Sequence, residues 1–140
     1  MFFVLSALAA CGGGSAVDDE TLPPGGRPSS PPLVVLLRYG GVAGTDDRVS
    51  VDALGVATIV SDRLPAPSTR TLSAADLAAL RRVLERSEIA TLQRNYLDRQ
   101  ATNAYQYDVT YQGTTVTSDE AVVPSSLRPV VEMLAKLIAA

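Results

Sequence analysis

Three β-strand patterns lie close together between residues 33 and 61, and they constrain the fold more than any other feature of the chain. The first, LVVLLRY, is an apolar run that ends at Gly40 and Gly41 and predicts a buried strand. In the second, RVSVD, valines alternate with polar residues, and after the turn ALG the third strand, VATIVS, begins at Val56. The second and third strands form a predicted hairpin.

A helix follows a proline-containing loop. Pro65 and Pro67 lack the backbone N–H that strand pairing uses, so residues 62–71 are predicted to form a loop. Ser73 can cap the next helix, and Asp76 stands three residues later, where a capping-box acid is expected. The helix has an apolar face at helical spacing, which predicts packing on a sheet and consists of Leu77, Leu80, Val83 and Leu84.

The second half of the domain adds two strands and a helix. The strand YQYDVTY places three tyrosines and Val109 on one face, and Gln112-Gly113 predicts a hairpin turn into TTVTS. Apolar residues at helical spacing between 130 and 138 predict a last helix. The fold class is therefore α+β: an antiparallel sheet of about five strands, in chain order β-β-β-α-β-β-α, with two helices packed on one face. This domain is predicted to span residues 33–140.

The N-terminal segment favours export and lipid attachment. Residues 1–10 form an apolar run that suits a signal peptide but is shorter than the roughly 20 residues of a membrane-spanning helix. The ending LAAC resembles a bacterial lipobox, which predicts lipidation of Cys11, the only cysteine. No Lys or Arg precedes the run, so a plain secreted protein or a misassigned start is the alternative.

Residues 11–32 are predicted to be a disordered tether. They are rich in Gly, Pro and Ser and contain few branched apolar residues, so burial cannot offset the entropy lost on ordering. Acyl chains on Cys11 would attach the protein to a membrane without a spanning helix. The expected location is the bacterial cell envelope, with the folded domain outside the cytoplasm.

Composition excludes several kinds of catalytic and binding site. The chain has no histidine, which excludes a Ser-His-Asp triad and His-ligated zinc. The net charge is −3, and the charges are scattered without the basic patch of a nucleic-acid-binding protein. The pairs Asp46–Asp47 and Asp119–Glu120 lack the spacing of a calcium loop and are interpreted as solvated loop residues. We therefore expect no enzyme activity, cofactor, metal or small-molecule substrate.

Three segments suggest a family when they are taken together. They are LLRYGGVAGTDDRVSVDALGVATI, LSAADLAALRRVL and YQYDVTYQGTTVTSDEAVVPSSLRPVVEMLAKLI. Their most recognisable pieces are a Gly-Gly-x-x-Gly turn at 40–44, a Leu-Ser helix entry at 72–73, a Tyr-x-Val strand at 107–109 and an acid-to-proline segment at 119–124. In this order the pieces resemble the emfourin family, small protein inhibitors of protealysin and related thermolysin-like metalloproteases. The resemblance covers residues 34–138 and implies such a protease as the partner.

An inhibitor of this kind needs an ordered segment that fills the substrate cleft of the protease. The resemblance implies a target that favours bulky apolar side chains, and Leu64 is such a residue on a loop stiffened by Pro65. Alternatively, Leu64 packs beneath its loop onto the sheet. Two further loops are second candidates, with a structural role as the alternative, and they carry Gly40, Gly41, Gly44, Asp119 and Glu120. The competing function is a surface-tethered binding or envelope-structural module without inhibitory activity.

Overall fold

A computed structural model describes residues 30–140 and shows a seven-stranded sheet with two helices. The strands lie in the spatial order β4-β3-β2-β1-β6-β7-β5, and every neighbouring pair is antiparallel except the parallel pair β5–β7. The elements in chain order are β1 (Pro32–Gly40), β2 (Thr45–Asp52), β3 (Val56–Ser61), β4 (Ser68–Thr71), α1 (Ala74–Arg86), β5 (Asn95–Tyr96), β6 (Tyr105–Tyr111), β7 (Thr114–Asp119) and α2 (Arg128–Ala139).

The predicted α+β class is confirmed, but the count of five strands and their order are wrong in detail. All five predicted strands are present, and two further short strands, β4 and β5, form the two edges of the sheet. β4 lies within residues 62–71, which were predicted to be loop, because the prolines interrupt pairing only as far as Pro67. β5 has two residues and lies in a polar connection, where no periodic pattern could indicate it.

The hydrophobic core lies between one face of the sheet and both helices. Alternate residues of each strand point to this face, so Val34 and Leu36 of β1 are fully buried whereas Val35 and Leu37 are only partly buried and lie outside the core cluster. Tyr107 is buried in the core, as its face of β6 predicts. The helices contribute Leu80, Leu84, Val130 and Leu134.

The start of α1 is fixed by the predicted cap. The Ser73 hydroxyl accepts a hydrogen bond from the Asp76 backbone N–H at 3.0 Å and donates one to the Asp76 carboxylate at 2.6 Å. The cap therefore satisfies an N–H group that has no partner within the first turn of the helix. α2 begins with Pro129 in its first turn, where a missing N–H costs nothing.

The two ends of the sheet carry different connections. β1 starts at the end of the sheet that carries the tight β2–β3 and β6–β7 turns. The strand register shows this, because Pro32 pairs with Asp52 and Val34 pairs with Tyr111. At the other end lie the β1–β2 turn, the β3–β4 loop, the β5–β6 connection and the segment after β7. The N-terminal segment therefore enters the fold at the end opposite to these four loops.

Residues 30–140 contain the seven strands, both helices and the core cluster described above, so this segment should fold on its own. Within it we expect Leu36→Ala to lower the free energy of unfolding by about 2 to 5 kcal/mol, because the substitution leaves a cavity in the core. Leu37→Ala, on the opposite side of the same strand, should cost about 1 kcal/mol because that side chain is only partly buried. Urea unfolding followed by circular dichroism measures both values; equal losses would show that the faces of β1 are assigned wrongly.

Candidate functional site

Four loops meet at the end of the sheet opposite to the chain entry. The sheet places them side by side: Gly40 pairs with Thr45 and with Tyr105, and Asp119 pairs with Gln106. Backbone hydrogen bonds hold these loops to their neighbours: Gly41 N–H donates to the Ala104 carbonyl of the next loop at 3.1 Å, and Asp62 N–H donates to the carbonyl of Asp46 in β2 at 3.2 Å. The three loops proposed from the sequence therefore lie together, with the β5–β6 connection as a fourth.

Each of these loops exposes an apolar side chain, and we call the four side chains the loop rim. Four of the six large apolar residues that are exposed among residues 30–140 belong to it. The loops start from β3, β1, β7 and β5, which lie within six neighbouring strands of the sheet, so the rim extends over about 24 Å at the usual strand spacing. Its members are Val42, Leu64, Leu97 and Val122, with exposed fractions of 89%, 40%, 53% and 39%.

A buried carboxylate lies directly beneath the rim. The side chain of Asp47 has no solvent-accessible surface, and its Oδ2 atom accepts hydrogen bonds from Arg38 Nε and Nη2 at 2.9 and 2.6 Å and from Arg63 Nη2 at 3.1 Å. Burial acts to raise the pKa of Asp47, but the neighbouring Ser61 hydroxyl and both guanidinium groups hold it below its ordinary value. The carboxylate is therefore ionised at neutral pH.

The prediction that Asp46 and Asp47 form a solvated pair is wrong for Asp47. Both residues lie within β2 and not in a turn, so their side chains point to opposite faces of the sheet. Asp46 is exposed, whereas Asp47 lies between Thr45 and Val49 in the series of alternate β2 residues whose side chains are buried. The inward alternation of β1 likewise continues from Leu36 to Arg38, which provides the counter-charge.

The Leu64 loop is attached to this ion cluster. Arg63, next to Leu64, reaches Asp47 through its guanidinium group, while its backbone N–H donates to Ser61 Oγ at 3.2 Å. The Leu64 N–H donates to the Ser61 carbonyl at 3.1 Å. Leu64 itself is exposed and does not belong to the core cluster, so it does not pack beneath the loop onto the sheet. Pro65 is exposed beside it, and the loop presents Leu64 on a fixed backbone.

The β1–β2 turn depends on its glycines. Gly40, Gly41 and Gly44 have φ angles of 87°, 71° and 62°, a region that other residues rarely adopt. A Cβ atom on Gly41 would lie 2.7 Å from the ring of Tyr105, and that ring also lies 5.1 Å from the Arg38 guanidinium. These glycines therefore shape the turn, and Val42 at its tip is the side chain available for contact.

Asp119 has a structural role that its predicted solvated position did not suggest. Its Oδ2 atom accepts a hydrogen bond from the Asp98 N–H at 2.6 Å, and its Oδ1 atom accepts one from Gln106 Nε2 at 2.9 Å. Asp119 thereby joins the β5–β6 connection to the end of β7. Glu120 is exposed, as predicted, at the start of a 3₁₀ turn that carries Val122.

Sequence reasoning missed Leu97 and the ion cluster. Leu97 stands in a polar connection with no periodicity, so nothing in its surroundings indicated a role. The cluster did have a signal, because Arg38 continues the inward positions of β1 and an inward arginine requires a buried acid. Cys11 and the predicted tether up to residue 29 lie outside the described residues.

The chain matches no protein-family model, and no curated protein matches it significantly. Among residues 30–140 there is no helix that is both long and apolar enough to cross a membrane. In the same part of the chain, no group of three or more His, Cys, Asp or Glu side chains is placed to hold a metal ion. The candidate site therefore rests on the geometry and apolar character of the loop rim.

The ion cluster predicts a pH-dependent stability. Asp47→Asn should lower the free energy of unfolding by about 3 to 5 kcal/mol at pH 7, because Arg38 then lacks a buried counter-charge. The pKa of Asp47 in the folded protein lies below its unfolded value of about 3.9. The wild-type protein therefore loses the stability that ionised Asp47 contributes only as pH falls below about 4.

Urea unfolding should therefore show that the difference in the free energy of unfolding between wild type and Asp47→Asn is smaller at pH 3 than at pH 7. The exposed neighbour supplies the control, since Asp46→Asn should change stability by less than about 0.5 kcal/mol at either pH. A gap of the same size at both pH values would contradict the assignment of Asp47 as the buried, ionised group.

Proposed function

We propose that the protein is a membrane-anchored lipoprotein whose domain inhibits a thermolysin-like metalloprotease by placing the loop rim in its substrate cleft. The observation that carries the proposal is the convergence of four exposed apolar side chains on one end of the sheet. The resemblance of residues 34–138 to emfourins supplies the class of partner. The rim supplies a surface that matches an apolar specificity pocket.

The backbone beneath the rim favours tight binding because little of it has to be ordered when the complex forms. Loops that are already fixed lose less conformational entropy on association than mobile ones. The Leu64 loop is fixed by Arg63 and Ser61, and the β1–β2 turn is fixed by its bond to the Ala104 carbonyl. Leu64 combines an exposed apolar side chain with a backbone that is held by the hydrogen bonds of Arg63 and Leu64 to Ser61, and it is the residue that enters the cleft in this proposal.

The position of the rim also suits a tethered protein. Pro32, the first residue of β1, lies at the opposite end of the sheet, so a lipid on Cys11 would hold the domain by the end remote from the rim. The tether was predicted to reach Pro32, but Pro32 already pairs in β1, so a flexible tether would end before it and would allow a reach of about 25 Å from the membrane. The rim would then face a protease in the surrounding medium or compartment.

Leu64→Asp tests the proposed contact. The substitution would place a charge in an apolar pocket of the protease, which should weaken inhibition by about a hundredfold or more. The melting temperature should stay the same, because the side chain is exposed and lies outside the core cluster. Inhibition constants of residues 30–140 against a panel of thermolysin-like proteases provide the measurement.

Leu54→Asp is the matched control. Leu54 is 75% exposed in the β2–β3 turn at the other end of the sheet, so the same chemical change there should leave inhibition unaltered. Undiminished inhibition by Leu64→Asp would move the contact to Val42 or Val122, which the corresponding Asp variants would identify. A folded wild-type domain that inhibits none of the proteases would favour the alternative function, a non-inhibitory surface-tethered binding or envelope-structural module.

Lipid attachment is tested separately. Mass spectrometry of protein extracted from bacterial membranes should find acyl chains on Cys11 as the first residue. Cys11→Ser should move the protein to the soluble fraction, because it removes the thiol to which the anchoring acyl chains would be attached. An unmodified wild-type product that keeps Met1 and stays soluble would refute the lipoprotein assignment.

A further inference from the structure

The sheet has a second face that no helix covers among residues 30–140, and we call it the open face. It is formed by the residues that alternate with the core positions in β1, β2, β3, β6 and β7. Val35 and Leu37 lie at its centre and do not belong to the core cluster. Around them are small hydroxyl residues, such as Thr110 and Thr115, whose side chains hydrogen-bond to each other at 2.8 Å.

One row of the open face carries two opposite charges. The strand register places Arg48 on one side of Leu37 and Asp108 on the other, so their backbones are two strand spacings, about 10 Å, apart. Arg48 forms no ion pair with any residue in the described part of the chain. Asp108 accepts hydrogen bonds from Thr117 and Tyr39, and no cation contacts it within the same part.

We propose that the open face is the interface of a homodimer whose two-fold axis runs parallel to β1 and passes over Leu37. A rotation about this axis exchanges the two sides of the sheet, so Arg48 faces the partner's Asp108 and Asp108 faces the partner's Arg48. Leu37 then packs on the partner's Leu37. A two-fold axis perpendicular to the strands would instead bring arginine against arginine and aspartate against aspartate. The charge pattern therefore selects one of the two face-to-face arrangements.

On the same axis, the row of Tyr39 places the Asp46 carboxylate opposite the partner's Gln106, and because the Gln106 amide also donates to Asp119 of its own chain, this row adds no further charge pair. In the row of Val35, the flanking residues Ser50 and Thr110 are small, which allows two sheets to approach to the usual distance of about 10 Å.

The size of the open face predicts a weak dimer. Five strands are about 24 Å wide and seven residues of a strand are about 23 Å long, so each copy covers about 500 Å². The total of about 1,000 Å² is at the lower limit of specific protein interfaces, so we expect a weak and reversible dimer. Attachment of both copies to one membrane would raise their effective concentration.

The orientation of this dimer agrees with the proposed anchoring. Because the axis runs along the strands, both loop rims lie at one end of the dimer and both Pro32 residues lie at the other. Two lipid anchors could thus enter the same membrane while both rims point away from it. This agreement depends on the proposed function, whereas the charge pattern of Arg48 and Asp108 that selects the axis does not depend on it.

Sedimentation velocity of residues 30–140 between about 1 µM and 1 mM tests the dimer. Wild type should associate reversibly, and Arg48→Asp should weaken association at least about tenfold because it places two aspartates together twice per dimer. The double variant Arg48→Asp with Asp108→Arg should associate again, since the swap restores both pairs. Arg82→Asp makes the same change in charge at an exposed position on α1 and should associate like wild type.

A cross-linking experiment covers the case in which a charge variant disturbs the fold. The segment 30–140 contains no cysteine, so Leu37→Cys provides a single thiol close to the two-fold axis. A bismaleimide with a spacer of about 10 Å should join two copies through this thiol but not through Leu54→Cys. A wild type that stays monomeric at 1 mM, or equal cross-linking at both positions, would overturn the proposal. Protease inhibition by Arg48→Asp should be unchanged, which separates this interface from the rim.

Discussion

The pairing of β1 with both β2 and β6 is the constraint on which the other features of the structure depend. β1 is the central strand of the described sheet, and its neighbours β2 and β6 lie far apart from each other in the chain, so its register fixes the β2–β3 hairpin on one side and the β6–β7 hairpin on the other. A shift by one residue would exchange Leu36 with Leu37 and turn the core face outward. The same register places Arg38 beside Asp47 and Gly40 beside Tyr105, and so builds the base of the loop rim.

The ion cluster at the end of β1 favours defined geometry over maximal stability. Removing two charges from water costs free energy that an ion pair only partly returns, and Oδ1 of Asp47 has no hydrogen-bond partner among residues 30–140. An apolar group would fill the same place without this cost. Arg63, however, can bind Asp47 only if its loop runs close to the sheet, and this attachment sets the position of Leu64. The cluster therefore connects a buried charge to the geometry of an exposed loop.

The fold followed from the sequence wherever the pattern of apolar residues was periodic. β1 was predictable from an apolar run, the other predicted strands from alternation or a hairpin turn, and both helices from helical spacing, with the Ser73 cap as a local signature. β4 and β5 were not, because such short edge strands show no periodicity of their own; they are held by pairing with β3 and β7, and in β5 also by Tyr96, which packs against the core cluster. The roles of Asp47 and Asp119 depend on which face each residue takes, and adjacent acidic residues in a sequence do not reveal this.

The candidate site was predictable loop by loop but not as a surface. Leu64 and the glycine turn each had local signals, in prolines and in glycine spacing, whereas their proximity follows from the strand order β3-β2-β1-β6-β7. That order also puts the rim at the end of the sheet remote from Pro32, on strands whose opposite face remains uncovered within the described residues. In the two proposals a single sheet thus offers two separate surfaces: the loop rim across its end to a protease, and the open face with Arg48 and Asp108 to a second copy of the chain. Because the proposed two-fold axis runs along the strands, occupation of the open face would leave both rims accessible.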